Sequence, residues 1–305
     1  MYSLEFCNSI ITDNVYVLPD NVKSAVSKLH LALGIDSTKV AVYTQTHTHG
    51  SRKSRNDNED QWKKKEQFKT TLIVKAEGTS KLLSDIKNGL NKISETKYDI
   101  HANIVFNTID ELLTPENNPD GTMEQTIFNL IETTAYTNHY WSALYAKLCK
   151  TILDKHSTFI EIKNNWCAKF NETEFMIESV DPAEDYNKFC EINKENDKRK
   201  YQLLFIINLY KEQCITHEEL LNIIIVIEKR LHINIKNKEY TSINEELTEL
   251  IYIFISNMVN DIKSNPIFSN INEWIAMYST SKPKENPGFT SRSFFKFMDM
   301  RDLLK

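Results

Sequence analysis

The chain of 305 residues is 41% hydrophobic, enough for a sizeable core in one large or two modest domains. Its formal charge of -5 rules out a polycation, so contact with nucleic acid would need a local basic patch. Six glycines and seven prolines leave few residues for sheet turns or phosphate-cradling loops, which favours an all-α fold.

Residues 1–45 read as a small N-terminal region of their own. Ile10 to Leu18 fits a short strand, and Asp20 fits the N-cap of a helix over Val22 to Leu33 that stops at Gly34. No basic segment followed by an apolar one opens the chain, so no signal peptide is expected. Residues 46–79 then turn polar and basic, as a linker does. Between 51 and 75 the stretch holds Arg52, Lys53, Arg55, Lys63, Lys64, Lys65, Lys69 and Lys75 against Asp57, Glu59, Asp60 and Glu66. Such a segment binds phosphate backbones through counterion release or is simply a solvated linker, and composition leaves both open. Trp62 has no core of its own to enter in this setting, so it either docks on the helical region that follows or anchors a partner, the second being the reading favoured. His47 and His49 lie in the same polar stretch without a nearby cysteine, too sparse a set for zinc, and no metal is expected.

From Ser80 the pattern becomes helical throughout. Leu83, Ile86, Leu90 and Ile93 share one face, as do Trp141, Leu144, Tyr145, Leu148 and Ile152. Leu220, Ile223, Ile224, Ile227 and Leu231 repeat the spacing, and Leu247, Leu250, Ile251, Phe254 and Met258 repeat it again. Breakers separate these stripes at 115–121, at Asp181-Pro182, at Pro266 and at 283–288. The spacing predicts about ten helices over residues 80–305, or five pairs of roughly 45 residues each, the period of HEAT-like solenoids. A four-helix bundle has too few core positions for so many amphipathic helices. The apolar runs at 220–227 and 250–255 are much shorter than the roughly 18 residues a membrane span needs. Cys7, Cys149, Cys167, Cys190 and Cys214 form no CxxC pair, so free thiols in a reducing, cytoplasmic setting are expected, with Cys149 and Cys214 inside apolar helices.

Catalytic signatures are missing. The glycines at 34, 50, 78, 89, 121 and 288 build neither a P-loop nor a dinucleotide fingerprint, and neither HExxH nor GxSxG occurs. The expectation is a binding protein without cofactor, not an enzyme.

Four segments then resemble one family. Residues 88–98 (Asn-Gly-Leu-Asn-Lys-Ile-Ser-Glu-Thr-Lys-Tyr) resemble the opening of the middle domain of eukaryotic translation initiation factor 4 gamma. Residues 139–149 (His-Tyr-Trp-Ser-Ala-Leu-Tyr-Ala-Lys-Leu-Cys) are similar to its fourth helix. Residues 199–210 (Arg-Lys-Tyr-Gln-Leu-Leu-Phe-Ile-Ile-Asn-Leu-Tyr) resemble its basic start and Phe-Ile-x-x-Leu core, and residues 290–303 resemble its final helix, which begins Ser-Ser-Arg. The heavy use of Asn, Ile and Lys suits a protist or large-DNA-virus version of that domain.

The resemblance implies a crescent of five HEAT-like pairs that grips the DEAD-box helicase initiation factor 4A and holds its two lobes half-open. It implies helicase contacts at Trp62, Leu90, Ile93, Tyr98, Phe205, Arg292, Phe295 and Phe297, with auxiliary RNA contact at Arg52, Lys53, Arg55, Lys63, Lys64 and Lys65. The apolar members of the first set also lie on core stripes, and that reading stands beside the helicase one. The chain departs from the family at the cap-binding-protein motif, a Tyr followed five residues later by Leu. Tyr2, Tyr16, Tyr43 and Tyr98 are followed at that spacing by Cys7, Asn21, Thr48 and Asn103, so a cap-binding partner would have to use another surface of residues 1–45. Sibling middle domains act in poly(A)-binding-protein regulation, splicing and mRNA decay, and an RNA-binding solenoid without helicase contact has the same pattern.

Overall fold

The computed structural model describes residues 20–32, 77–172 and 177–305. The chain divides into two compact units, Met1–Leu72 and Ile73–Lys305. In the first unit one helix is described, α1 (Asp20–Ala32). Asp20 is a residue of that helix and not its cap, and its carboxylate pairs with Lys23 one turn on at 3.2 Å. The strand over 10–18, the stop at Gly34, and Cys7, His47 and His49 lie outside the described residues.

The second unit is helical throughout its described residues and holds ten α-helices, matching the number expected. They are α2 (Gly78–Asn91), α3 (Tyr98–Leu112), α4 (Met123–Thr137), α5 (Ser142–Lys155), α6 (Thr158–Glu172), α7 (Tyr186–Lys211), α8 (His217–Asn234), α9 (Thr241–Ser264), α10 (Ser269–Tyr278) and α11 (Ser291–Leu303). Polar side chains fix several starts. Asp185 accepts the Lys188 N–H before α7, and Thr290 accepts the Ser293 N–H before α11. Thr216 and Glu219 exchange bonds in a capping box that opens α8, with Glu219 Oε2 accepting the Thr216 N–H at 2.7 Å.

A second kind of start recurs. Asn138 to Ser142, Asn237 to Thr241 and Asn265 to Ser269 share the sequence Asn-x-x-aromatic-Ser/Thr. In each, a 3₁₀ turn leads directly into the helix, and the Asn carbonyl accepts the N–H of the aromatic residue. Trp141 therefore sits in the turn before α5, where it packs half-buried against the core with Leu144, and the fully buried apolar residues of α5 begin at Tyr145. Ile93 likewise lies beyond the end of α2, yet it stays buried because its N–H returns to the Leu90 carbonyl at 3.1 Å. Cys214 belongs to the turn after α7, half-buried, while Cys149 and Cys167 are buried free thiols.

The helices pack chiefly with neighbours one or two places along the chain. The odd-numbered helices make a continuous row in which α3 packs on α5, α5 on α7, α7 on α9 and α9 on α11. On α2–α4–α6 the same rule gives a second row, while α8 covers α7 and α9, and α10 covers α9 and α11. Polar side-chain contacts link successive members of the odd row. His156 just past α5 meets Asp110 of α3 at 2.9 Å, Lys200 of α7 meets Glu246 of α9 at 2.9 Å, and Arg292 of α11 meets Glu249 of α9 at 3.2 Å. Buried polar bonds tie the layers further. The hydroxyl of buried Tyr145 donates to the Leu90 carbonyl at 3.2 Å, and buried Lys163 of α6 donates to the Cys214 carbonyl at 2.9 Å.

The loop before α11 is held by one close approach. The Gly288 N–H donates to the Ile235 carbonyl at 2.9 Å, and fully buried Asn244 donates to the Gly288 carbonyl at 2.8 Å. A Cβ at 288 would lie 2.3 Å from the Asn237 carbonyl oxygen and 2.7 Å from that of Asn234, both backbone atoms that cannot swing away. Gly288→Ala is expected to lower unfolding stability by about 2 kcal/mol, an overpacking cost. Urea denaturation measures it, and an unchanged midpoint would contradict the close packing of this loop.

Candidate partner-binding surface

The outward face of α11 combines the features that the resemblance assigns to a helicase contact. Its apolar side is spent on the core. Phe297 is fully buried, 4.7 Å from the Tyr278 ring and 5.8 Å from the Phe289 ring. Ser293 and Met300 are buried with it, a spacing of four, three and so on that turns the intervening positions outward. Phe295 is 60% exposed, its ring edge-on to Phe294 at 5.7 Å. Arg292, 67% exposed, stands one turn before it, and exposed Asp299 and Leu303 continue the same face.

The cations of this face are held in place. Arg292 reaches Glu245 and Glu249 of α9, and Lys296 pairs with Glu249 while its amine lies 4.5 Å from the centre of the Tyr252 ring. Glu249 is thus shared by two cations, which holds the Arg292 guanidinium against α9, one helical turn from Phe295. The chemistry offered is an exposed aromatic ring next to a guanidinium, a pairing enriched among interface anchors.

The other residues expected at helicase contacts fall elsewhere. Leu90, Ile93 and Phe205 are core residues, fully or almost fully buried. Phe205 stands edge-on to Trp166 at 5.9 Å, and Trp166 in turn to Phe128 at 5.7 Å, so the three rings join α7, α6 and α4. These side chains, with Phe297, fill space between helices and do not present themselves to a partner. Tyr98 is buried too, with Lys147 of α5 capping its ring at 4.4 Å. The core-stripe reading therefore holds for Leu90, Ile93, Phe205 and Phe297, whereas Tyr98, expected at a helicase contact, is buried as well. Trp62, Arg52, Lys53, Arg55, Lys63, Lys64 and Lys65 lie outside the described residues.

At the start of the row, two residues that the sequence reading passed over are exposed. Ile100 and Ile104 lie one turn apart on α3, 63% and 45% exposed, opposite the stripe of Tyr98, Ala102, Val105, Ile109 and Leu112. Their signal in the sequence was available, since two isoleucines at a spacing of four off the core stripe give α3 a second apolar face. Ile100 and Phe295 thus stand on the first and last helices of the odd row.

A cleft of about 460 Å³ lies between the α7–α8 turn and α9, lined by Tyr210, Lys211, Gln213, Ile215, His217 and Asp261 among others. Two of its polar groups are tied to each other. Tyr210 donates to Asp261 at 3.2 Å, and burial followed by the Asp261 charge pushes the tyrosine up to about 12. The Tyr210 ring packs edge-on against His217 at 5.2 Å. Nothing in this arrangement pairs a nucleophile with a base. Among the described residues no three His, Cys, Asp or Glu side chains gather as metal ligands would, and no helix is long and apolar enough to cross a membrane.

The division of α11 into an inner and an outer face is open to test. Phe297→Ala is expected to destabilise the chain by about 3–5 kcal/mol, the cost of a large core truncation. Phe295→Ala should change stability by no more than about 0.5 kcal/mol, as at an ordinary surface position. Chemical denaturation of the two variants decides it, and equal losses would contradict the assignment.

No protein-family model and no curated protein matches the sequence.

Proposed function

We propose that the chain is a non-catalytic, cytoplasmic scaffold of translation initiation, built like the middle domain of initiation factor 4 gamma as five HEAT-like helix pairs in a crescent. Its partner is a DEAD-box RNA helicase of the initiation factor 4A type, whose two lobes it holds half-open to speed the ATPase cycle. The observation that carries the reading is the outward face of α11, where Arg292 and Phe295 stand exposed inside the fourth of the four resembling segments. Supporting it, each segment coincides with an element of the helical unit. Residues 88–98 cover the α2–α3 junction, 139–149 the turn and start of α5, 199–210 the second half of α7, and 290–303 α11.

The mechanism follows from geometry and entropy. Exposed apolar groups on α3 and α11 offer one contact at each end of the odd row. Once one lobe of the helicase is bound, contact by the other becomes intramolecular. A stiff spacer then restricts the lobes' relative orientations, and less conformational entropy is lost in reaching the productive arrangement. The Trp62 anchor and RNA contacts at Arg52, Lys53, Arg55, Lys63, Lys64 and Lys65 belong to the same proposal, as does a cap-binding partner on residues 1–45. A sibling role in poly(A)-binding-protein regulation, splicing or mRNA decay would keep the scaffold and exchange the helicase for another partner.

Calorimetric titration of a 4A-type helicase tests the α11 contact. Phe295→Asp is expected to weaken binding by about 30-fold, the loss typical of an aromatic interface anchor. Unchanged affinity with the fold intact would contradict the contact.

A further inference from the structure

The edge at which α5, α9 and α11 begin, crossed by the middle of α7, carries side chains that helicase binding does not use. Its course follows from contacts already fixed. His139, in the turn before α5, stacks on Tyr201 of α7 with ring centres 3.7 Å apart and planes within 5°. The start of α5 is therefore level with the middle of α7. Lys200 reaches Glu246 in the second turn of α9, which brings the start of α9 into line. Asn244 reaches Gly288, which brings the approach to α11 alongside.

Two cationic segments converge on this edge. Lys236 donates to Asn286 at 2.7 Å and Gly288 donates to the Ile235 carbonyl, so residues 282–286 lie against residues 234–237. Exposed Lys236, Lys238, Lys282 and Lys284 belong to or adjoin these two segments, and exposed Lys229 with half-buried Arg230 stands on the last turns of α8 that lead into the first. Exposed acids within these segments are Glu239 and Glu285, the latter 4.0 Å from Lys282. Neighbouring acids are engaged elsewhere. Glu228 accepts from the Tyr278 hydroxyl at 2.9 Å, Glu246 is held by Lys200, and Glu245 and Glu249 by Arg292. Across residues 77–305 acids outnumber bases, so this concentration of lysine runs against the charge of its own unit.

Aromatic rings line the same edge. Tyr140 is 78% exposed, propped edge-on by Trp141 at 4.6 Å, and Tyr240 is 40% exposed beside Lys238. Between them lie the stacked His139–Tyr201 pair and Lys198, its amine 5.6 Å from the Tyr136 ring centre and 3.9 Å from exposed Glu195, while exposed Asp197 pairs with Lys200 at 3.4 Å. From α5 to α9 is two helix-packing steps, roughly 20 Å. Lysines alone would suit any anion. Open rings interleaved with them suit a ligand with both phosphates and flat bases.

We infer that this edge binds single-stranded RNA, with bases stacked on Tyr140 and Tyr240 and the sugar-phosphate backbone against Lys236, Lys238, Lys282 and Lys284. The site needs no helicase. It deepens the RNA contact of the proposed function, resting on that reading's choice of RNA as partner, and moves that contact onto the folded unit. Recognition by stacking and phosphate neutralisation is tolerant of sequence and sensitive to salt.

The test is fluorescence anisotropy of the full chain with a labelled 12-nucleotide oligouridylate at several salt concentrations. An acidic peptide of equal charge serves as competitor. Tyr140→Ala, at an exposed position that leaves the core untouched, is expected to weaken RNA binding about fivefold or more. Lys238→Glu combined with Lys284→Glu should weaken it further and flatten its salt dependence. Charge reversal at Lys63, Lys64 and Lys65 separates the two sites. If that variant loses all binding while both edge variants bind as the parent does, the edge proposal is overturned and the proposed RNA contact at 52–65 stands. If the parent binds no RNA at low salt, both fall. Competition by the peptide with no effect of Tyr140→Ala would show a merely anionic surface and overturn the stacking site.

Discussion

The second half of α7 is the constraint on which the rest of the helical unit depends. From Gln202 to Tyr210 every residue except Leu204 is buried, although the side chains point in all directions around the helix. A helix apolar all round is stable in water only when neighbours cover every face. Here α4 and α5 cover it from one side of the chain order, and α8 and α9 from the other. Two of its polar groups bond to helices on either side, the Gln202 amide N–H to Glu132 of α4 at 2.6 Å and the Tyr210 hydroxyl to Asp261 of α9. The first half of α7, from Tyr186 to Lys200, is mostly exposed and lacks such cover. One helix thus joins an early set of helices to a late one, and neither set can bury its own apolar surface without it.

Such an arrangement makes stability a matter of neighbour contacts passed along the row, as in repeat proteins. Bonds that span the steps matter more than those within a helix. Tyr145 to Leu90 closes the first step, Lys163 to the Cys214 carbonyl the middle, and Asn244 to Gly288 the last. The first and last are buried and the middle one partly so; breaking any of them leaves desolvated polar groups without a partner, a cost that resists sliding of one helix past the next. A scaffold that sets the spacing of two contacts on a partner needs that stiffness. The exposed groups on α3 and α11 are useful to a two-lobed partner only if the distance between them is held.

Much of this was legible in the sequence because a 3.6-residue period leaves a plain trace. The stripes of α8 and α9 are buried where spacing put them, and the count of ten helices follows from the breakers between stripes. Less legible were the junctions. Trp141 and Ile93 kept the spacing of a stripe while sitting in turns, since a 3₁₀ turn also returns side chains to one side every three residues. The repeated Asn-x-x-aromatic-Ser/Thr starts were in plain view but have no meaning until the turn is seen. The site was harder still. Phe294, Phe295 and Phe297 stand within four positions, and successive helical residues turn by about 100°, so not all can enter the core. Which one faces outward is decided by Tyr278 and Phe289, contributed by α10 and the loop after it. Resemblance has the same limit, because Leu90, Ile93, Tyr98 and Phe205 align with a motif whether it is preserved for packing or for contact.

The central claim is that this chain organises a DEAD-box helicase. The most direct measurement is the RNA-stimulated ATPase rate of a 4A-type helicase with and without the full chain. The account predicts a severalfold rise that saturates with one chain per helicase, in keeping with reduced entropy of lobe closure. An unchanged rate, with both proteins folded and the chain in excess, would contradict it.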